Sequence, residues 1–389
     1  MSSYTDPAQL GEQLFPVYKR WDIAFKEAAG SFITGQDGTQ YIDLMSGIGV
    51  TSLGHCHPAV TRAVEDQLHK GWHGSNFFQY EGQANTADLL TKHSCGDLVL
   101  FVNSGTEANE AAIKLARKHT GRQKIISFVQ SFHGRTYGSM AATGQDSIHQ
   151  GFGPKLEGFE YIPYNNVNEL EKAIDDTTAA VLVEVVQGEG GVIPGEESFL
   201  TTAERLAKEK GALFMVDEIQ TGLGRTGAFF AHQHYNLTPD IITTAKALGN
   251  GFPTGAVIGK EKLKDAFGPG SHGSTFGGNP LAMAAAEATL TTLIEENWIE
   301  EAASKGEKCF SAIEQLIGPL PNVKEVRGKG LMIGIELTEP AADYIKEVQK
   351  KGVLVIGAGP NVIRLLPPLT IEWDTLMKGI EAVKAVLEK

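Results

Sequence analysis

Two short apolar runs in this 389-residue chain end in groups able to do chemistry. Ala212-Leu213-Phe214-Met215-Val216 runs into Asp217 and Glu218, and Asp240-Ile241-Ile242-Thr243-Thr244-Ala245 runs into Lys246. In open α/β sheets, ligands bind beyond the carboxyl ends of the strands. Taken singly, Asp217 reads as a turn cap and Lys246 as a solvated surface lysine. Taken together, one crossover apart, they fit a single chemistry. A lysine forms a Schiff base with an aldehyde cofactor. A carboxylate pairs with a protonated pyridine nitrogen and keeps the ring an electron sink.

Three further segments add to this pair. Asn103-Ser104-Gly105-Thr106-Glu107 follows the run Val99–Val102 and opens an alanine-rich stretch. Ser104 and Glu107 have the spacing of a capping box. Gly105 allows close backbone approach, and a helix start presents free N–H groups to an anion, which makes a phosphate cradle. The chain contains no G-x-x-x-x-G-K-[ST] string, which argues against a nucleotide triphosphatase. In Ser131-Phe132-His133-Gly134-Arg135, Phe132 is suited to stack on a planar ring and Arg135 to grip a carboxylate. The glycine-dense segment Gly270–Pro280 reads as a loop whose hydroxyls can meet a phosphate. His55-Cys56-His57 and the pair His232/His234 lack the spacing and third ligand of a zinc site, and are read as structural or solvated. Gly328-x-Gly330 reads as a turn.

These residues need a scaffold. Helical stretches at Ala59–Lys70, Gly82–His93, Thr106–His119 and Ser198–Lys210 alternate with strand-length runs at Val99–Val102, Lys124–Phe128, Ala179–Val185, Ala212–Val216 and Ile241–Thr244. Such alternation predicts βαβ units and a mostly parallel, buried sheet. Before it, Gly35-Gln36-Asp37-Gly38 predicts a hairpin turn. After it, a helix over Ala284–Ile317, strands near Leu331–Leu337, Val353–Ile356 and Val362–Leu366, and a last helix reaching Lys389 predict a smaller α+β unit. The expected division is residues 1–50 as an N-terminal segment packing with the small domain, 51–285 as the large cofactor-binding domain, and 286–389 as the small domain.

Composition fits this picture. Hydrophobic residues make up 42% and charged residues 21%, enough for a large core and too mixed for global disorder. A net charge of −13 argues against nucleic acid and anionic membrane surfaces. Three scattered cysteines suggest neither a disulfide framework nor a zinc cage. The N-terminus lacks the basic and apolar regions of a secretory signal, so a cytoplasmic location is expected.

Several strings in one order now define a resemblance: LGHCHP (Leu53–Pro58), NSGTEANE (Asn103–Glu110), FHGR (Phe132–Arg135), QGEGG (Gln187–Gly191), DEIQTGLGRTG (Asp217–Gly227), AKALGNGFP (Ala245–Pro253) and GSHGSTFGGNPLA (Gly270–Ala282). Over nearly its whole length the chain resembles the class III (ω-amino acid) aminotransferases of pyridoxal-phosphate (PLP) fold type I, most of all those acting on acetylornithine. One departure is Val185, where many relatives have proline after the glutamate.

The resemblance implies an α/β fold-type-I transferase, PLP as cofactor and a homodimer with shared sites. Lys246 would hold PLP and carry the proton, and Asp217 would pair with the pyridine nitrogen. Gln220 would contact the ring hydroxyl, and Phe132 would stack on the ring. Ser104, Gly105 and Thr106 would hold the phosphate, helped by Thr275 of the other subunit, with Glu218 and Ile219 also at the cofactor. Arg135, Ser274 and Tyr18 would hold the outer end of the amino donor, and Arg364 the α-carboxylate of glutamate or 2-oxoglutarate. Glu189 would neutralise Arg364 in one half-reaction and swing aside in the other, its flanking glycines giving the backbone room. The implied reaction is transfer from N2-acetylornithine to 2-oxoglutarate, as in arginine biosynthesis. Donors such as ornithine, 4-aminobutyrate or a lysine precursor stay open, as does an aminomutase acting on glutamate 1-semialdehyde. A non-enzymatic PLP-binding regulator is disfavoured by the full catalytic set.

Overall fold

The computed structural model describes residues 13–389. Its centre is a seven-stranded sheet in the order Leu98–Val102, Gly255–Gly259, Ile241–Thr244, Leu213–Asp217, Thr178–Val183, Lys124–Phe128, Phe159–Ile162. Five of these strands pair in parallel; four of them fall on runs the alternating pattern marked, and Phe159–Ile162 is an addition the sequence reading did not make. Gly255–Gly259 runs antiparallel to both its neighbours, and sequence reasoning missed it. Three apolar residues between two glycines look like loop. The glycine is needed because a Cβ on Gly255 would lie 2.7 Å from the Ser104 carbonyl oxygen.

Both faces of the sheet are covered. The helix Gly105–Thr120 buries Ala108, Ala111, Ala112 and Ala116 against one face, where small side chains let helix and sheet approach closely. On the other face, Phe199, Leu200 and Ala203 of the helix Glu197–Glu209 pack with Phe128, Val183 and Phe214. Burial on two sides is why these strands read as continuous apolar runs.

The predicted hairpin forms between Phe32–Gly35 and Gln40–Asp43. Its sheet continues to Phe25–Ala29 on one side and, in parallel, to Val353–Leu354 near the C-terminus on the other. A further antiparallel sheet joins Val323–Lys329, Met332–Leu337, Val362–Leu365 and Ile356–Ala358. Gly330, at positive φ, sits in the turn between its first two strands, while Gly328, also at positive φ, lies within the first strand opposite Ile333.

The expected single helix over Ala284–Ile317 is two helices, Pro280–Glu295 and Trp298–Leu316. The chain breaks at Asn297, whose φ of 57° is a left-handed conformation that asparagine tolerates. The first helix starts before the expected point because Asn279 caps it, its Oδ1 accepting from the Ala282 N–H at 2.9 Å. Among the described residues no helix is long and apolar enough to cross a membrane.

Candidate active site

Five strands, four of them adjacent and the fifth beyond the antiparallel Gly255–Gly259, deliver chemistry to one edge of the central sheet. Leu98–Val102 leads to Asn103 and Ser104, Lys124–Phe128 to Phe132 and His133, Thr178–Val183 to Glu184, Leu213–Asp217 ends on Asp217, and Ile241–Thr244 leads to Lys246. All of these line one cavity of about 450 Å3, together with Gly105, Thr106, Arg135, Glu189, Ile219 and Gln220. Asp217 and Lys246 are brought together because the two strands pair in parallel with Asp217 opposite Thr243.

Asp217 is buried and held by three donors. Its Oδ2 accepts from Asn109 Nδ2 and His133 Nδ1, each at 2.8 Å, and its Oδ1 from the Ile219 N–H at 3.0 Å. Asn109 is fixed in turn by Thr243 and the His133 carbonyl oxygen. Lys246 sits at φ 42°, a strained backbone for a lysine. Burial pulls its amine below the ordinary lysine range, against the opposing charge of Glu189.

At the start of the helix Gly105–Thr120, the Ser104 Oγ accepts from the Glu107 N–H at 3.3 Å. The reciprocal half of the expected capping box goes elsewhere: the Glu107 carboxylate takes the Asn103 N–H at 2.6 Å and its side-chain amide at 2.8 Å. The N–H groups of Gly105 and Thr106 have no helical acceptor, as at any helix start. A Cβ on Gly105 would lie 2.7 Å from Ile219 Cδ1, so only glycine leaves this cradle open. Thr106 Oγ1 meets Thr136 Oγ1 at 2.8 Å and Ser139 Oγ at 2.5 Å.

Deeper in, the Arg364 guanidinium is 1% exposed and donates from Nη1 to Glu189 Oε1 at 2.7 Å and Gln220 Oε1 at 2.9 Å. Burial alone would raise the Glu189 carboxyl, but Arg364 outweighs it and holds the carboxyl below the usual range. The expected Glu189–Arg364 contact is therefore present. The expected backbone freedom is not. A Cβ on Gly188 would run into the Gln220 amide oxygen, and one on Gly190 would lie 2.5 Å from the Gln130 carbonyl oxygen. These glycines are where the loop is packed tightest.

Four expectations fare differently. Glu218 lies behind the cavity wall with its carboxylate turned away, accepting from Thr221 Oγ1, the N–H groups of Ala231 and His232, and the His232 ring. Ser274 is not in the cavity lining; its Oγ accepts from Asn103 Nδ2 at 2.9 Å at the rim. Thr275 is exposed beside it, and Tyr18 is 73% exposed and outside the lining. Among the histidines set aside as structural, His55 pairs with Asp43 at 2.8 Å, His232 with Glu218, and His234 Nε2 with the Thr226 carbonyl oxygen.

Sequence reasoning assigned no role to Asn109, His133 or Glu184. Asn109 is a polar residue on the buried face of an alanine-rich helix, and Glu184 ends an apolar run as Asp217 does, so both signals were available. Glu184 accepts from the N–H groups of Phe132 and Gly188, and burial followed by the nearby Asp217 charge pushes it up to about 7, against His133.

A strand-end lysine, an anchored carboxylate and a helix-start cradle around one cavity define a cofactor-dependent amino-group chemistry, and comparison with known proteins gives it a family. The class-III aminotransferase profile matches residues 16–387, and the chain belongs to that family. It is 56% identical over 376 residues to the acetylornithine aminotransferase of Bacillus subtilis, across 96% of this chain and 97% of that protein. Among solved structures, the ornithine aminotransferase of Toxoplasma gondii superimposes with a TM-score of 0.93 at 32% identity, across 96% of this chain and 92% of that one. The acetylornithine aminotransferase of Elizabethkingia anophelis gives 0.87 at 34%, across 96% of each chain. The fold is that of the PLP fold-type-I transferases, and the cofactor is PLP. The site suits that group: His133 Nε2 and Thr254 Oγ1 are buried at the lining without a partner among the described residues, and the glycine cradle offers N–H groups to a phosphate.

Proposed function

We propose that the chain transfers the δ-amino group of N2-acetylornithine to 2-oxoglutarate, releasing N-acetylglutamate 5-semialdehyde and glutamate, as a cytoplasmic homodimer. The observation that carries this reading is the Glu189–Arg364 pair at 2.7 Å, with Glu189 in the cavity lining and Arg364 buried and outside the lining. A donor reacting through its δ-amino group brings no carboxylate next to the reacting carbon, whereas 2-oxoglutarate does. One pocket serves both if its inner arginine is neutralised for the first and released for the second. The high identity to an acetylornithine aminotransferase supports the choice of donor.

Bound PLP supplies an electrophilic aldehyde carbon and a ring that stores an electron pair. The residues do the rest. Lys246, with its amine pulled down by burial, would hold the cofactor, and its free amine would serve as the base that moves the substrate proton. Asp217, oriented by Asn109, His133 and the Ile219 N–H, would pair with the ring nitrogen. Gly105 and Thr106 would take the phosphate, with Ser104 capping the helix behind them, and Thr275 would reach the phosphate held by the other subunit. Phe132 would stack on the ring, and it lies under the Arg135 guanidinium, whose carbon is 5.6 Å from the phenyl centre. Arg135 at the cavity mouth takes the outer carboxylate of the donor, with Ser274 and Tyr18 completing that end in the assembled dimer. Gln220 would contact the ring hydroxyl, and Arg364 would receive the α-carboxylate of 2-oxoglutarate when Glu189 turns away. In this reading residues 51–285 carry the cofactor chemistry. The pairing of Val353–Leu354 with Ile42–Asp43 supports grouping residues 1–50 with 286–389.

Borohydride reduction of the holoenzyme followed by peptide mapping should place the cofactor adduct on Lys246; an adduct on another lysine sinks the assignment. Single-turnover absorbance changes with acetylornithine, ornithine, 4-aminobutyrate and glutamate then rank the donors. Acetylornithine should react fastest, and a different leader replaces the substrate while keeping the class.

A further inference from the structure

The gate just described needs a carboxylate that turns while its backbone stays where it is. The loop bearing Glu189 joins two short strands, Val186–Gln187 and Ile193–Pro194. It is fastened along its length: Gln187 Nε2 donates to the Val129 carbonyl oxygen at 3.0 Å, Asn165 Nδ2 to that of Pro194 at 3.1 Å, and the Gly195 N–H to that of Val185 at 2.9 Å. Gly190 is packed on Gln130. One residue of the loop resists this arrangement. Val192 is fully buried at φ 53°, a conformation that is a clear outlier for a β-branched side chain. Such strain persists only where the surroundings over-determine it.

The fastening at that strained point comes from Arg327, on the strand Val323–Lys329 and not among the residues lining the cavity. Its Nε donates to the carbonyl oxygens of Gly191 and Val192, each at 3.1 Å, and its Nη2 to that of Gly191 at 2.8 Å. Its Nη1 is directed away, to Glu325 at 2.8 Å and to Glu336. The planar guanidinium fork thus holds two successive carbonyls at once, which a lysine ammonium cannot match.

We infer that Arg327 is a positioning residue for donor selectivity: by clamping the Gly191 and Val192 carbonyls it keeps Val192 in its left-handed conformation and so aims Glu189 at Arg364. This inference rests on the gate reading. It makes the gate a side-chain rotation on a fixed backbone. Without the clamp, Val192 relaxes toward negative φ, the loop shifts, and Glu189 leaves Arg364 even when no 2-oxoglutarate is present.

The test compares Arg327→Met, Arg327→Lys, Glu189→Ala and the double variant Arg327→Met/Glu189→Ala. In single turnovers of the holoenzyme, Arg327→Met should raise the rate with glutamate relative to acetylornithine by about tenfold, the size expected for losing a charged hydrogen bond. Arg327→Lys should fall between it and the parent, and the double variant should exceed neither single change. Amide exchange in the cofactor-free protein should quicken at Gly190–Val192 in Arg327→Met, a readout independent of activity. Adding Val192→Gly to Arg327→Met should restore the parent ratio, because glycine accepts this backbone without a clamp. If Glu189→Ala shifts the ratio and Arg327→Met lowers both rates equally, the clamp is overturned and the gate stands. If Glu189→Ala shifts nothing, the gate reading falls and takes this inference with it.

Discussion

Three donors converge on the Asp217 carboxylate, from Asn109, His133 and the Ile219 main chain. An amide in its place presents an N–H₂ group to donors and carries no charge to hold a pyridinium proton. Asp217→Asn should therefore leave the circular dichroism spectrum intact and lower turnover by roughly 10²–10³, the range for removing one preorganised electrostatic group. Parent-like turnover in that variant removes Asp217 from the mechanism. Glu184, beside it, makes a prediction about pH. Burial first, and then the Asp217 charge, push its carboxyl up to about 7 in the folded chain. The folded state thus holds a proton that the unfolded chain releases nearer 4.5. The associated stability is present below the unfolded value and is lost as pH rises through about 7. The melting temperature of the cofactor-free protein should fall over that window, and Glu184→Gln should flatten the fall; an unchanged slope assigns it to other groups.

Helices and strands explain how much of the site could be read from the chain. A strand-end rule located Asp217 and Lys246, and the helix-start signature located Ser104, Gly105 and Thr106, because in each case the chemistry follows directly on a local pattern. Glu189 and Arg364 carried no local signal, and their pairing was available only through family resemblance. The strand Gly255–Gly259 stayed hidden because its place is fixed by tertiary packing against the Ser104 backbone rather than by its own periodicity. Glycines around Glu189 were read as freedom when they are contact points, since spacing alone cannot tell an open turn from a crowded one. The helix break at Asn297 is an element boundary set by a left-handed backbone angle. Asn297→Ala should cost about 1 kcal/mol, the penalty for a left-handed alanine. Asn297→Gly should cost little. Thermal melts of the two variants check this, and equal melting temperatures would show that the neighbouring helices, not the angle, set the break.

At the scale of the whole molecule, the face beside the cavity mouth exposes several large apolar side chains. Phe77 is 98% exposed, Phe78 66%, Trp72 63% and Phe276 59%, with exposed Thr275 next to the last. Contiguous apolar patches of this kind mark protein interfaces. Sedimentation should give a dimer at working concentrations, and Thr275→Val should weaken cofactor retention without dissociating it. A fully active monomer would refute the shared site.

The antiparallel strand also bears on how the molecule comes into being. Leu98–Val102 lies at the edge of the central sheet, and its strand partner is Gly255–Gly259. The phosphate cradle hangs from that edge, yet the segment that pins the edge comes after Lys246 in the chain. During synthesis on the ribosome, the strands carrying Glu184 and Asp217 emerge and can associate well before the cradle's support exists. Non-local closures of this length are slow, and an unpaired apolar edge is a template for aggregation until it is covered. A nascent chain stalled before residue 255 should therefore protect the Thr178–Val183 and Leu213–Asp217 strands from proteolysis while leaving the Gly105 helix start open to cleavage.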